Sequence, residues 1–273
     1  MSSQLFEKRI VVLSNRYNAI GSSIQTLQEA MISLISPAWL DESKKVLNTP
    51  NTSENIQETQ CGETHVDPST IAALQPCKED LPIVAELRRW CLDNKLCSAI
   101  FKWVPSDYYS HTLTWRRDIL NAPSIAFLCK TIVLTNTHCV HSDFSVRENS
   151  RYYLLVVQYV ERFDADLVMR FIRKFNPTIG KKKFNFRLAS SEESLELTGF
   201  PSGAVVPYGT RQKIPIILSS SITKLEPRFF WTGGGHLHCK ARIDLDNFLE
   251  VMNPMIAPIT VPLTSDELEN IID

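Results

Sequence analysis

The chain has 273 residues, 44% hydrophobic and 22% charged, enough for one large domain or two small ones that fold without disulfide staples. Its 29 basic and 30 acidic side chains leave a formal charge of -1, which excludes a globally basic nucleic-acid binder and leaves any polyanion to a local patch. No run approaches the roughly 20 apolar residues of a membrane helix, no signal peptide is evident, and the seven irregularly spaced cysteines read as reduced thiols in a cytosolic or nuclear compartment.

The first expected element is a helix over residues 1–37. Phe6, Ile10, Leu13, Tyr17, Ile20, Ile24, Leu27, Met31 and Leu34 alternate four and three apart, the seam of a coiled coil or of an amphipathic helix lying on its own domain. Gly21 weakens the run and Pro37 ends it. Residues 38–80 turn polar, with Pro50, Pro68 and Pro76 as breaks, and read as a linker.

From residue 81 the texture is that of one α/β domain. Helical spacing marks 83–97, and β-branched or apolar runs follow at 131–134, 153–160, 184–188, 204–206, 214–218 and 229–232. A helix is expected at 165–175, and a second, beginning at Ser190 or Ser191, carries a capping pattern. Helices interleaved this irregularly argue against a doubly wound sheet and for a mixed, partly barrel-like sheet with flanking helices. Residues 257–273 read as a tail with a short helix.

Two glycine-rich segments follow or precede strand-like runs. In Thr198-Gly199-Phe200-Pro201-Ser202-Gly203-Ala204-Val205-Val206-Pro207-Tyr208-Gly209 the glycines permit close backbone approach and the prolines hold the loop in shape. In Phe229-Phe230-Trp231-Thr232-Gly233-Gly234-Gly235-His236 three glycines end an aromatic strand. Each is equally an ordinary turn, and neither is a Rossmann fingerprint or a phosphate loop.

Together with Cys129-Lys130-Thr131-Ile132-Val133 and Ile214-Pro215-Ile216-Ile217, these segments stand in an order that resembles the YbaK family, the editing domains associated with prolyl-tRNA synthetase. The likeness runs from about Leu81 to Pro254, and Val104 to Tyr109 looks like a eukaryotic stand-alone branch of it. It implies a mixed α/β sheet, no cofactor, no metal, a cytoplasmic location, and hydrolysis of the ester of mischarged aminoacyl-tRNA with no protein nucleophile. Lys130, Gly203 and Pro207 take the catalytic positions by this likeness, and Tyr108, Thr198, Gly199, Phe200, Ala204, Thr232, Gly233 and Gly234 the substrate-binding ones. Gly203-Ala204 replaces the family's Gly-Gly, and the glycine turn lacks the family's arginine.

A basic run, Arg170, Arg173, Lys174, Lys181, Lys182, Lys183 and Arg187, is a solvated face unless the substrate is tRNA, in which case it is the candidate for the acceptor stem. The rival readings are a zinc site from His138, Cys139, His141, His236, His238 and Cys239, and a catalytically inactive member that binds tRNA or a synthetase complex. Residues 1–36 are the expected contact to a second copy or to such a complex.

Overall fold

The β-branched and apolar runs assemble into a five-stranded, a three-stranded and a two-stranded sheet, as described by a computed structural model covering residues 71, 74–141, 144, 146–269 and 271. The chain divides into two units, 1–63 and 64–273, and every described residue belongs to the second. The expected helix at 1–37 and most of the linker at 38–80 lie outside the described residues.

In chain order the elements are α1 (Pro82–Asp93), β1 (Ile100–Trp103), α2 (Leu113–Leu120), β2 (Cys129–Asn136), β3 (Tyr152–Gln158), β4 (Glu161–Phe163), α3 (Ala165–Phe175) and β5 (Phe186–Leu188). There follow α4 (Ser191–Thr198), β6 (Ile216–Ser219), β7 (Phe229–Gly233), β8 (Cys239–Asp244), α5 (Leu245–Met252), β9 (Met255–Ala257), β10 (Thr260–Pro262) and α6 (Ser265–Glu269). The five-stranded sheet runs β5-β2-β3-β6-β9, mixed because β3 lies antiparallel to β2 but parallel to β6. A three-stranded antiparallel sheet runs β1-β8-β7, and β4 pairs with β10.

Strand β3 reads as an unbroken apolar run because both its faces are covered. Leu154 and Val156 join the core cluster that also holds Leu128, Phe230 and Phe248, while Tyr153, Leu155 and Val157 pack with Val168, Met169 and Ile172 of α3. Helix α3 starts where Asp164 accepts hydrogen bonds from the N–H groups of Asp166 (2.8 Å) and Leu167 (3.0 Å), which otherwise have no helical acceptor. The Ser190–Glu193 capping box opens α4 in the same way.

The mixed sheet with flanking helices is as expected, and no closed barrel is found among the described residues. The larger sheet ends at β5 and β9 and the smaller at β1 and β7, and the link between them is a single bridge, Leu128 to Trp231. Closure needs main-chain pairing along a whole edge, and β5 and β9 are three residues long. Residues 204–206 lie in a loop and not in a strand, since the turn at Gly203 and Pro207 interrupts pairing.

Packing extends beyond the boundaries expected at 81 and 256. Leu74 is fully buried, and Asp80 meets Arg88 of α1 at 2.8 Å, with the guanidinium 4.7 Å from the Phe101 ring centroid. At the other end β9 pairs with β6 and β10 with β4, so the segment after 256 is part of the sheet system.

Candidate functional site

Where β2 and β7 approach each other the structure holds a cleft of about 520 Å³. Its walls are the first half of β2, the end of β7, the loop with Ser202, Gly203 and Val205, the 3-10 turn at Tyr108–Ser110, and Lys240 of β8. None of the described lining residues is a carboxylate.

Three cations share three tyrosines along one side. Lys130, half-buried on β2 opposite Val157, places its ammonium 5.1 Å from the Tyr159 ring centroid. Lys240, 5% exposed, donates to Tyr109 Oη and to Leu237 O (3.0 Å), with Nζ 4.3 Å from the Tyr109 centroid. Arg116, 1% exposed, donates to His111 O (2.9 Å) and Tyr109 O (2.7 Å), its guanidinium 5.0 to 5.9 Å from the rings of Tyr109, Tyr108 and Tyr159. Such ring faces attract cations and partly offset their loss of water. Lys130 makes no hydrogen bond or ion pair among the described residues, which sets it apart from the other two.

The loop opposite is held in shape by its own backbone. The Ala204 N–H donates to Pro201 O at 3.0 Å and is committed, whereas the N–H groups of Gly203 and Val205 have no acceptor among the described residues. Gly203 has φ +79°, and a Cβ there would lie 2.8 Å from Leu237 Cδ2. The walls also carry buried polar atoms without a hydrogen-bond partner among the described residues, Thr131 Oγ1, Thr232 Oγ1 and Trp231 Nε1. Each costs about 1–3 kcal/mol unless water or a ligand meets it.

Of the residues singled out by sequence, Tyr108, Lys130, Gly203, Thr232 and Gly233 line the cleft. Thr198, Gly199, Phe200, Ala204, Pro207 and Gly234 stand behind it. Gly199, at φ +81°, caps α4, and the Thr198 hydroxyl donates to Ser194 O (2.7 Å) while accepting from the Phe200 N–H (3.1 Å). Beside buried Pro207, Tyr208 Oη donates to Gly233 O at 3.2 Å and ties the loop to β7. Gly234 forms the β7–β8 turn, its N–H donating to Cys239 O (2.9 Å).

A Cβ on Gly234 would sit 2.7 Å from Cys239 Sγ and 3.1 Å from its carbonyl carbon and oxygen, so the glycines here serve close packing and not looseness. Gly234→Ala is expected to destabilise the fold by about 1–3 kcal/mol, read as a lowered midpoint in urea. An unchanged midpoint would mean that the turn can open at no cost.

The basic residues gather elsewhere, on α3 and the 3-10 turn Lys181–Lys183. Arg170, Lys174, Lys181, Lys182 and Lys183 are exposed and Arg173 is half-buried. The zinc reading is corrected: among the described residues no group of three or more candidate ligands gathers. His138 Nδ1 lies 2.9 Å from Lys182 O, and His236 accepts the His238 N–H at 3.2 Å while burial, His238 and Lys240 lower its pKa. Sequence reasoning missed Tyr109, Arg116, Tyr159 and Lys240, whose tyrosine doublet and isolated cations acquire meaning only once three separate segments meet.

Residues 121–251 match the family of the aminoacyl-tRNA editing domain. This chain contains a YbaK-like aminoacyl-tRNA editing domain. The match includes Lys130, the Gly203 loop and β8, while Tyr108, Tyr109 and Arg116 precede it. The editing domain resembles in fold a candidate trans-editing enzyme for prolyl tRNA synthetase, at 18% identity and TM-score 0.53, covering 67% of this chain and 99% of the other. A scaffold protein from computational epitope grafting is similar at 15% identity and TM-score 0.53, covering 67% of this chain and 100% of that one. A hypothetical protein follows at 16% identity and TM-score 0.50, covering 64% and 99%. No curated protein sequence matches the chain.

Proposed function

We propose that the editing domain hydrolyses the ester bond of mischarged aminoacyl-tRNA in trans, in the cytosol, with no protein nucleophile. The observation that carries this reading is Lys130, a cation with no hydrogen bond or ion pair among the described residues, sharing a cleft with the N–H groups of Gly203 and Val205, which have no acceptor among them. Water adds to the ester carbonyl carbon, the C=O pair moves onto oxygen, and donors aimed at that oxyanion lower the barrier. Collapse re-forms the C=O, breaks the bond to the ribose oxygen and leaves the proton there, giving free amino acid and free tRNA. The ribose hydroxyl beside the ester is placed to hold the water, as the likeness to the family implies. Tyr108, Thr232 and Gly233 would then border the aminoacyl group, with Thr198, Gly199, Phe200, Ala204, Pro207 and Gly234 shaping the loop and turn behind it.

The test is deacylation of a panel of mischarged tRNAs by the full chain. Release of amino acid from at least one member is the expected result. No turnover across the panel, with tRNA binding retained, would leave a binding protein in its place. Ser202 lines the cleft and carries the available hydroxyl of the loop, so Ser202→Ala should change the rate by less than about threefold if water attacks directly. Complete loss in a folded variant would indicate an acyl-serine intermediate.

A further inference from the structure

The peptide unit between Gly203 and Ala204 is held from both sides. Its N–H, on Ala204, donates to Pro201 O at 3.0 Å, and its carbonyl, on Gly203, accepts from the Tyr109 hydroxyl at 3.5 Å. The N–H groups of Gly203 and Val205, which have no acceptor among the described residues, belong to the peptide units immediately before and after it. Planar peptides turn only about φ and ψ, so the plane of the middle unit sets the direction of both neighbours. At Gly203, where φ is +79° and no Cβ narrows the choice of ψ, that restraint must come from outside the loop.

Tyr109 is itself well anchored. Its Oη accepts from Lys240 Nζ, its carbonyl accepts from Arg116 at 2.7 Å, and its ring stands edge-on to Tyr108 with centroids 5.3 Å apart. An oxygen that accepts from an ammonium keeps its own proton to give, and Gly203 O lies within reach of it. A separation of 3.5 Å is the long end of a hydrogen bond, the geometry of a contact that tightens when substrate fills the site. Lys240 braces the loop a second time, because it also donates to Leu237 O at 3.0 Å and the Leu237 side chain packs over Gly203. Tyr109 precedes the residues matched to the editing family, so this brace reaches the loop from outside the matched module.

We infer that Tyr109 is a positioning residue: through Gly203 O it fixes the 203–204 peptide, and so keeps the N–H groups of Gly203 and Val205 turned to the oxygen that becomes negative during ester hydrolysis. The inference rests on the hydrolytic reading for the identity of that oxygen. Donors aimed in advance at an oxyanion favour the transition state over the bound ester, so the hydroxyl contributes to turnover and not to ground-state affinity. The competing role is direct contact with the aminoacyl group, since Tyr109 also lines the cleft.

The experiment compares the full chain with Tyr109→Phe, which keeps the ring face met by Lys240 and Arg116 and removes only the oxygen. On a mischarged tRNA that the parent hydrolyses, kcat should fall about 10- to 100-fold with KM within about twofold. A phosphonate analogue of the aminoacyl-adenosine ester, tetrahedral and anionic at the reacting centre, should lose affinity by the same factor as kcat. The planar 3′-amide analogue should bind parent and variant within about twofold of each other. Partial unfolding would lower both affinities together, so their ratio reports positioning alone. An unchanged kcat, a raised KM, or equal loss on phosphonate and amide would each overturn the inference while leaving the hydrolytic reading in place. A parent that hydrolyses no member of the panel removes the hydrolytic reading and this inference with it.

Discussion

Lys130→Ala is expected to lower the deacylation rate about 10²–10³-fold while moving the thermal midpoint by less than about 2 °C. Both halves follow from the same observation. The ammonium touches the Tyr159 ring face and no other described partner, so truncation removes a charge from the cleft without orphaning a buried acceptor. Lys240 is the contrasting case. Its ammonium is buried against Tyr109 Oη and Leu237 O, and Lys240→Ala would remove the donor that both oxygens accept from and lower stability together with rate. Single-turnover kinetics beside differential scanning fluorimetry separate the two. A Lys130→Ala variant with full activity would remove this side chain from the proposed chemistry.

Asp80→Asn is expected to destabilise the fold by about 3–5 kcal/mol near neutral pH, because it strips the partner from a buried guanidinium. Arg88 is 7% exposed and held between the Asp80 carboxylate and the Phe101 ring. Burial alone would raise the Asp80 carboxyl, but the Cys77 hydrogen bonds and the Arg88 charge outweigh it and hold it below the usual carboxylate range. The sign follows: a group with a depressed folded pKa contributes stability that is complete above its unfolded value, about 3.9, and lost as pH falls through the folded one. Urea melts from pH 3 to 7 should show the gap between parent and Asp80→Asn widest at the neutral end and closing in acid. A constant gap would mean that packing and not charge is lost.

The parts of the fold legible in the sequence are those whose pattern is local. Helix α3 declares itself through Asp164 at its cap and apolar residues at helical spacing, and α4 through the Ser190–Glu193 pair. Strand β3 stands out because burial on both faces makes it nearly uniformly apolar, and β2 through its apolar centre, Ile132 to Leu134. Strands β1 and β8 stayed hidden, since Lys102, Lys240 and Arg242 break the apolar alternation. Those cations are tolerated because Lys102 reaches Ile119 O at 2.5 Å, Lys240 reaches Tyr109, and Arg242 lies 4.1 Å from the Phe229 ring centroid. The same limit applies to the cleft. Lys130 and the Gly203 loop were legible through a family pattern, but the tyrosine wall draws on residues 108, 109, 116 and 159, which no local rule groups together.

The match to known editing domains starts at residue 121, yet β1, which pairs with β8 from Ile100–Arg242 to Trp103–Cys239, lies before it. A fragment trimmed to the matched residues would strip one flank of β8 and leave a row of unsatisfied N–H and C=O groups beside buried Cys239 and Ala241. An unpaired strand edge of this kind templates strand addition between copies. The smallest unit of this chain that stays dispersed must therefore include the segment from Leu74 through Leu120, and the recognisable module is smaller than the foldable one.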